Sequence, residues 1–280
     1  MFEKICHLPE YYLTGAEYSI LEQHAVTIAS MFPDKITLVE LGSGSAVKTH
    51  VIIKALIERH RSLRFIPIDI SRSTLEESAS ALVENFQDLE ILAVAGEYQD
   101  GLDYLKQNRE DQRLILWLGS NVGNFERKDA ATFFSKIHDA MAPNDRFLAG
   151  IDLRKDRKVL EHAYDDAQGV TARFNKNILA RINRDLGGHF DLTRFQHRAI
   201  YNEDVGRVEM HLQSLCTQSI AIDRLNLEIR FNDGETIHTE HSYKYSSEEI
   251  ETLATAAHLS VEHQWFDSEN LFSVSVFYRQ

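Results

Sequence analysis

The stretch VELGSGS, residues 39–45, decides the fold, because it joins the end of an apolar run to an acidic residue and two glycines. Residues 36–41 form the apolar run, and amphipathic segments at 16–31 and 46–60 precede and follow it. An apolar strand, a glycine turn and an amphipathic helix in this order are typical of a parallel α/β sheet. The stretch therefore predicts a ligand-binding turn at the carboxyl end of a parallel strand.

The same alternation continues through the first half of the chain. Further apolar strands are predicted at 63–71, 89–98, 113–120 and 146–153, with amphipathic helices at 73–86 and 128–141. Strands that are apolar along their whole length and are separated by helices indicate a parallel sheet covered on both faces. We therefore predict a doubly wound, mostly parallel sheet of the α/β class, with a terminal antiparallel hairpin from residues 259–267 and 271–279.

A different pattern begins at residue 155. A long helical stretch at 156–187 precedes segments that alternate polar and apolar residues by twos, as half-buried antiparallel strands do. This change predicts an inserted α+β domain that binds the substrate. The expected boundaries give one discontinuous domain of residues 19–154 and 245–280, and a second domain of residues 1–18 and 155–244.

Composition excludes several classes of function. The 280 residues carry a formal net charge of -13, which opposes nucleic-acid binding because that binding needs Lys and Arg to neutralise phosphates. No apolar run approaches the roughly 20 residues of a membrane span, and the first residues lack the apolar core of a secretory signal. We therefore expect a cytoplasmic protein. Cys6 and Cys216 have no metal-ligand spacing, nor do the thirteen histidines, so we expect neither a disulfide nor a metal site.

The glycine turn distinguishes among three ligands. A phosphate-binding loop and a dinucleotide-binding turn both need a glycine at the sixth position of the motif, where Val47 stands, which leaves S-adenosylmethionine (SAM). Glycines let the backbone approach its methionine moiety. Asp69 closes the next strand, where a carboxylate can hold ribose hydroxyls, and Glu97 closes the third, where an adenine amino group would be read. The alternative for these two residues is a helix cap or a solvated loop carboxylate. The candidate cofactor-binding residues are Glu40, Gly42, Ser43, Gly44, Lys48, Asp69, Gly96, Glu97, Tyr98, Gly119 and Ser120.

Six stretches carry a resemblance to a known family. They are LPEYYLTGAE (8–17), LGSGSAVKT (41–49), LGSNVGNF (118–125), AYDDAQGVTARFNKNILARINRDLG (163–187), RVEMHL (207–212) and GETIHTEHSYKY (234–245). Together they resemble the histidine Nα-methyltransferase family of ergothioneine biosynthesis, which converts L-histidine and SAM into Nα,Nα,Nα-trimethylhistidine (hercynine). The resemblance implies a class I SAM-dependent methyltransferase domain with an inserted substrate-binding domain.

The resemblance also implies roles for individual residues. Asn124 and Tyr164 are expected to hold the amino and carboxylate groups of the amino acid, and so to serve as the catalytic residues. The imidazole is expected to meet Tyr12, Glu240 and Ser242, whose carboxylate and hydroxyls suit a ring with two nitrogens. Met210 is expected to line this pocket, and Thr171 to support it from behind. Without the resemblance, Asn124 would be a helix cap and Tyr164 an aromatic on a helix surface. The candidate substrate-binding residues are Tyr12, Asn124, Tyr164, Thr171, Met210, Glu240 and Ser242.

The sequence thus predicts an enzyme that transfers up to three methyl groups from SAM to the α-amine of L-histidine, leaving S-adenosyl-L-homocysteine (SAH). The alternatives are a methyltransferase for another aromatic amino acid or amine, and an inactive SAM-binding regulatory or partner subunit. Members of the family usually have a further N-terminal segment and an Arg where Gly15 stands. These two differences are the reason to keep a requirement for a partner chain as an alternative. We expect a monomer, with no nucleic-acid or membrane partner.

Overall fold

The computed structural model describes residues 2–108 and 112–280. Its helices are α1 (Phe2–Cys6), α2 (Tyr12–Ser30), α3 (His50–His60), α4 (Arg72–Asn85), α5 (Tyr98–Gln107), α6 (Arg127–Ala140), α7 (Arg157–Tyr164), α8 (Val170–Leu186) and α9 (Ser247–Ala256). Its strands are β1 (Ile36–Leu41), β2 (Leu63–Asp69), β3 (Leu89–Ile91), β4 (Val94–Ala95), β5 (Gln112–Trp117), β6 (Arg146–Asp152), β7 (Phe195–Asn202), β8 (Arg207–Ser214), β9 (Gln218–Ile222), β10 (Leu227–Phe231), β11 (Thr236–Tyr243), β12 (Leu259–Phe266) and β13 (Phe272–Arg279).

The described residues form two compact units. The sheet unit comprises Gly15–Leu153 and Tyr245–Gln280, and the inserted unit comprises the residues up to Thr14 together with Arg154–Lys244. The boundaries expected from the sequence differ from these by four residues at the first crossing and by one at the second, and they coincide at the third. The break in sequence pattern at residue 155 therefore lies next to a structural boundary.

The sheet unit contains one large sheet with the strand order β12-β13-β6-β5-β1-β2-β3, and β4 also pairs with β2. The pairs among β1, β2, β3, β5 and β6 are parallel, while β13 pairs antiparallel with β6 and β12. Every residue of β1 is buried, as expected for a strand covered on both faces. The predicted doubly wound sheet with its antiparallel hairpin is confirmed. Its parallel strands bring the turns after β1, β2, β4 and β5 to one edge.

The inserted unit contains an antiparallel sheet, β11-β8-β7, and a separate hairpin, β10-β9. Its apolar core is built from side chains of α8, of the strands and of the segment before β7: Leu179, Phe190, Phe195, Leu212, Ile220, Ile222 and Phe231. Burial along β8 alternates residue by residue, which is the pattern of a strand with one face on a core.

Several elements differ from the sequence prediction. The expected third strand at 89–98 is two short strands, and α5 begins at Tyr98, where a capping box of Glu97 and Asp100 starts a helix that the sequence analysis missed. The expected helix at 156–187 is two helices, because Gly169 adopts a left-handed φ of 65° just before α8. Strand β11 was not predicted as an element of its own. Among the described helices, none is both long and apolar enough to span a bilayer.

Candidate active site

The glycine turn after β1 is held to the end of β2 by hydrogen bonds that its backbone N–H groups donate. The Gly42 N–H donates to the Ile68 carbonyl at 2.8 Å, and the Gly44 N–H donates to Asp69 Oδ2 at 3.0 Å. Both glycines have positive φ, 72° and 49°. A Cβ on Gly42 would stand 3.0 Å from the hydroxyl of Tyr98, so a larger residue would have to displace that ring and also adopt a φ that favours glycine.

The polar atoms at this edge fit the expected SAM. Ser43 Oγ is buried and has no hydrogen-bond partner among the described residues, so it offers a polar contact to a ligand. Asp69 accepts from the N–H groups of Gly44 and Ser71, one on each carboxylate oxygen, which leaves a lone pair on each oxygen for ligand hydroxyls. Tyr98 packs edge-on against Trp117, with ring centroids 5.9 Å apart, and burial raises the pKa of its phenol.

Two carboxylates of the candidate cofactor set bond to the protein itself. Glu40 is buried, and both of its oxygens lie 2.7 Å from Thr49 Oγ1. Burial raises the pKa of Glu40 to about 8, and the Thr49 hydrogen bond opposes that rise. Glu97 is exposed and caps α5, with Gly96 packed against Asp100. Glu97 therefore acts as a helix cap, as the alternative for this residue stated. That Glu40 and Glu97 contact SAM stays a prediction.

Glu17 on α2 is a residue that the sequence analysis missed. It is fully buried, its two oxygens accept from the Gly119 N–H at 2.8 and 3.0 Å, and it forms an ion pair with Lys48. Ser120 follows in a left-handed conformation and its Oγ accepts from the Asp152 N–H at 2.9 Å. Glu17 therefore joins the turn after β5 to the lysine that follows the glycine turn. Only its place in the stretch LPEYYLTGAE signalled it.

Asn124 ends a short 3₁₀ helix, Asn121–Asn124, that follows β5. Its side chain is exposed, and the N-cap of the next helix, α6, is Glu126 rather than Asn124. The capping alternative for Asn124 is therefore wrong for α6. An exposed amide with a donor and an acceptor remains available at the carboxyl edge of the parallel strands.

The inserted unit holds a buried polar cluster on α7 and β11. The hydroxyl of Tyr164 donates to Ser242 Oγ at 3.1 Å, and the ammonium of Lys244 donates to both oxygens, at 2.8 and 2.9 Å. All three side chains are buried, Lys244 completely. Tyr164 is therefore not an aromatic on a helix surface. Lys244 was missed, although its spacing from Glu240 and Ser242 places it on their strand face.

Glu240 and Met210 complete this group from neighbouring strands. They are directly opposite each other in the β11-β8 pair, and Met210 is buried. Burial raises the pKa of Glu240, and the positive charge of Lys244 acts in the other direction. The structure thus brings together four of the predicted substrate residues, namely Tyr164, Met210, Glu240 and Ser242.

The remaining predicted substrate residues have other partners. The hydroxyl of Tyr12 accepts from Lys155, whose ammonium lies 4.6 Å from the centre of the tyrosine ring. Thr171 is buried at the start of α8, where its N–H and that of Val170 donate to Asp166. Asp166 thus caps the start of α8. The described residues include no group of side chains able to hold a metal ion.

Comparison with known proteins gives matches that extend over nearly the whole of this chain. A family model described as histidine-specific, SAM-dependent methyltransferase matches residues 1–279. The histidine N-alpha-methyltransferase of Mycolicibacterium smegmatis is 39% identical over 277 residues, which are 99% of this chain and 85% of that protein. The ergothioneine biosynthesis protein 1 of Neurospora crassa is 36% identical over 270 residues, 95% of this chain and 30% of that protein. The L-tryptophan methyltransferase trpM of Psilocybe serbica is 26% identical over 281 residues, 92% of this chain and 78% of that protein.

Proposed function

We propose that this chain, which belongs to the family of SAM-dependent, histidine-specific methyltransferases, methylates the α-amino group of L-histidine. It is a class I methyltransferase in its sheet unit, with SAM as methyl donor and SAH as product. We place the product in ergothioneine biosynthesis, because the relative from Neurospora crassa that bears this pathway's name is 36% identical to the chain.

The group formed by the half-buried Glu240 and the buried Ser242 and Lys244 is the observation that supports histidine among the amino acids. A carboxylate that is partly withdrawn from water gains from a donor, and an imidazole N–H supplies one. A phenyl ring bound beside Glu240 would leave the carboxylate without that hydrogen bond, which costs about 1–3 kcal/mol or more for a charged group. The same residues that bind histidine therefore penalise a ring without a donor.

Methyl transfer places modest chemical demands on the protein. When bound, SAM supplies an electrophilic methyl group on a sulfonium, and the residues of the chain have to present a neutral amine in line with it. We propose that Asn124 orients the amine and that Tyr164 binds the carboxylate. A trimethylated amine has no N–H left to donate to Asn124, which favours release after the third transfer. Up to three methyl groups are therefore proposed.

We further propose a cytoplasmic enzyme, which the two free cysteines, Cys6 and Cys216, support because secreted proteins more often pair their thiols. A monomer that acts without a partner chain stays a prediction.

A competition assay tests the proposed function. Purified protein is incubated with SAM and an equimolar mixture of the proteinogenic amino acids, and products are read by mass. We expect histidine to gain one, two and three methyl groups in succession, while phenylalanine and tryptophan gain none. The Glu240→Ala variant should lose the preference for histidine, whereas Asp233→Ala, an exposed carboxylate change in the same unit, should keep it.

The outcomes separate the alternatives. Methylation of another aromatic amino acid in preference to histidine would contradict the substrate and leave the methyltransferase fold intact. SAH binding without any methylated product would favour a regulatory or partner subunit.

A further inference from the structure

The main-chain carbonyl of Tyr164 lies at the end of α7 and accepts a hydrogen bond from another element. The last carbonyls of an α-helix lack partners within the helix, and a buried carbonyl costs free energy unless a donor reaches it. His197 on β7 supplies that donor, because its Nε2 lies 2.8 Å from the Tyr164 carbonyl oxygen. The side chain of His197 is 1% exposed, so this hydrogen bond is closed to water.

The neighbours of His197 determine which ring nitrogen carries the proton. A carbonyl oxygen only accepts, so Nε2 carries a proton, and the Asp165 carboxylate 3.9 Å from this nitrogen also favours one there. Nδ1 lies 2.9 Å from the amide nitrogen of Asn175 on α8, and the same nitrogen lies 3.4 Å from the carbonyl oxygen of His211 on β8. Because that carbonyl only accepts, Asn175 presents its nitrogen to both groups, and Nδ1 accepts from it. His197 is therefore a neutral imidazole with its proton on Nε2.

These hydrogen bonds form one chain across four elements of the inserted unit. The chain runs from the β8 backbone at His211 through Asn175 and His197 to the last residue of α7. Asn175 and His197 are both buried. A buried chain of hydrogen bonds in which every donor meets an acceptor holds its members in one arrangement. The backbone of Tyr164 is therefore fixed from α8, β7 and β8, independently of its side chain.

The chain leaves the hydroxyl of Tyr164 to its other partners. The phenol proton points to Ser242 Oγ in this structure, and rotation about the C–O bond lets it turn toward a bound carboxylate. Lys244 can continue to donate to the phenol oxygen after that rotation, because the oxygen also has lone pairs. Holding the backbone thus sets where the hydroxyl stands without committing its proton.

We propose that His197 is a positioning residue for Tyr164 and that Asn175 keeps the imidazole in the tautomer that this role requires. The inference rests on the proposed function, in which Tyr164 binds the carboxylate of the amino acid. His197 does not touch the substrate and acts through the end of α7. A displacement of about 1 Å in a group that binds substrate can cost about 100-fold, so loss of this hydrogen bond should weaken histidine binding.

Two substitutions of His197 separate the roles of its ring nitrogens. The amide of glutamine can place a donor near the position of Nε2, whereas that of asparagine reaches only the position of Nδ1. His197→Asn should lose the hydrogen bond to the Tyr164 carbonyl, and calorimetric titration in the presence of SAH should show at least about tenfold weaker binding of L-histidine. His197→Gln should keep the affinity within about threefold of the wild type. SAH affinity should be unchanged in both variants.

A double-mutant cycle distinguishes positioning from a general loss of stability. Tyr164→Phe removes the hydroxyl, so adding His197→Asn to it should weaken histidine binding by less than about threefold, although His197→Asn alone weakens it about tenfold or more. Equal losses with and without the hydroxyl would mean that His197 does not act through Tyr164, and would overturn the proposal. The matched control is His162→Asn, which changes an exposed histidine on α7 and should bind histidine like the wild type.

A measurement on the wild type keeps the test decisive if His197→Asn does not fold. In protein labelled with ¹⁵N-histidine, nuclear magnetic resonance should show the His197 ring with a proton on Nε2 and none on Nδ1, and the absence of these signals from His197→Gln assigns them. A proton on Nδ1 would overturn the proposal, as would wild-type histidine affinity in a folded His197→Asn. Failure of the wild type to bind L-histidine in the presence of SAH would instead overturn the proposed function.

Discussion

Glu40 is a buried carboxyl whose ionisation is coupled to the stability of the fold. Burial raises its pKa from 4.5 to about 8, so the folded state holds a proton that the unfolded state releases. The stabilisation from this protonation is complete below about pH 4.5 and is lost as the pH rises toward 8. Glu40→Gln imitates the protonated form. The free energy of unfolding of the variant minus that of the wild type should therefore be larger at pH 8.5 than at pH 5, by on the order of 3–5 kcal/mol.

Urea unfolding of both proteins at the two pH values, without SAM, measures this difference. The control is Glu58→Gln, an exposed carboxylate on α3, which should follow the wild type at both pH values. Parallel pH dependence of Glu40→Gln and the wild type would show that Glu40 is ionised in the fold across this range.

At the scale of single residues, the sequence predicted positions better than partners. It placed Glu40 at the end of a strand beside a glycine turn. Its partner Thr49, whose hydroxyl contacts both carboxylate oxygens, lies nine residues later, and no sequence pattern links the two residues. Lys244 could have been found, because positions 240, 242 and 244 share a strand face. No local pattern links Glu17 to its partner Gly119, which is 102 residues away, and only its place in the stretch LPEYYLTGAE pointed to it.

Among the elements, strand β6 has a glycine, Gly150, where it passes the carboxylate of Glu17 on α2. That carboxylate holds the turn after β5 through Gly119. A Cβ on Gly150 would stand 1.7 Å from Glu17 Oε1, so an alanine there forces Glu17 out of its place. Gly150→Ala should then leave the Gly119 N–H and Lys48 without their carboxylate. We expect a loss of about 2–4 kcal/mol in the free energy of unfolding and at least tenfold weaker SAH binding.

Urea unfolding and calorimetry with SAH measure the two effects, and Gly15→Ala is the matched control. Gly15 is an exposed position inside α2 with nothing within 4 Å of an added Cβ. There the same substitution should stabilise the protein by about 0.5–1 kcal/mol and leave SAH affinity as it is. A Gly150→Ala protein that binds SAH like the wild type would contradict the anchoring role of Glu17.

A strand that is buried along its whole length was predicted well from its apolar residues, whereas a strand with a β-bulge was not. Strand β1 was predicted to the residue, because it is mostly apolar, is buried along its whole length and is followed by a glycine. Strand β11 contains a bulge between His238 and Glu240. The bulge places His238 against His211 on one face and Glu240 against Met210 on the other, so simple alternation assigns one of them to the wrong side.

For the whole molecule, the insertion was predictable because two periodicities coexist in one chain. Continuous apolar strands need cover on both faces, while β8 alternates because only one of its faces is buried. At this scale composition argued against nucleic acid as a ligand, since a net charge of -13 opposes binding to a polyanion. The identity of the amino acid could not be read from any of these global features, because it depends on a few hydrogen bonds.

The division of labour between the two units leads to a prediction for the whole chain. All candidate SAM-binding residues lie in the sheet unit, and the predicted ring-binding residues lie in the inserted unit. A ligand that binds only the native state stabilises the region it contacts, by about 2.7 kcal/mol at a concentration of 100 Kd. In hydrogen exchange, SAH alone should therefore protect the turns at 42–48, 96–98 and 119–120, and added L-histidine should extend protection to β11 and the end of α7. Phenylalanine in place of histidine should give no such extension. Protection of β11 by SAH alone, equal to that of the turns, would contradict this assignment of ligands to units.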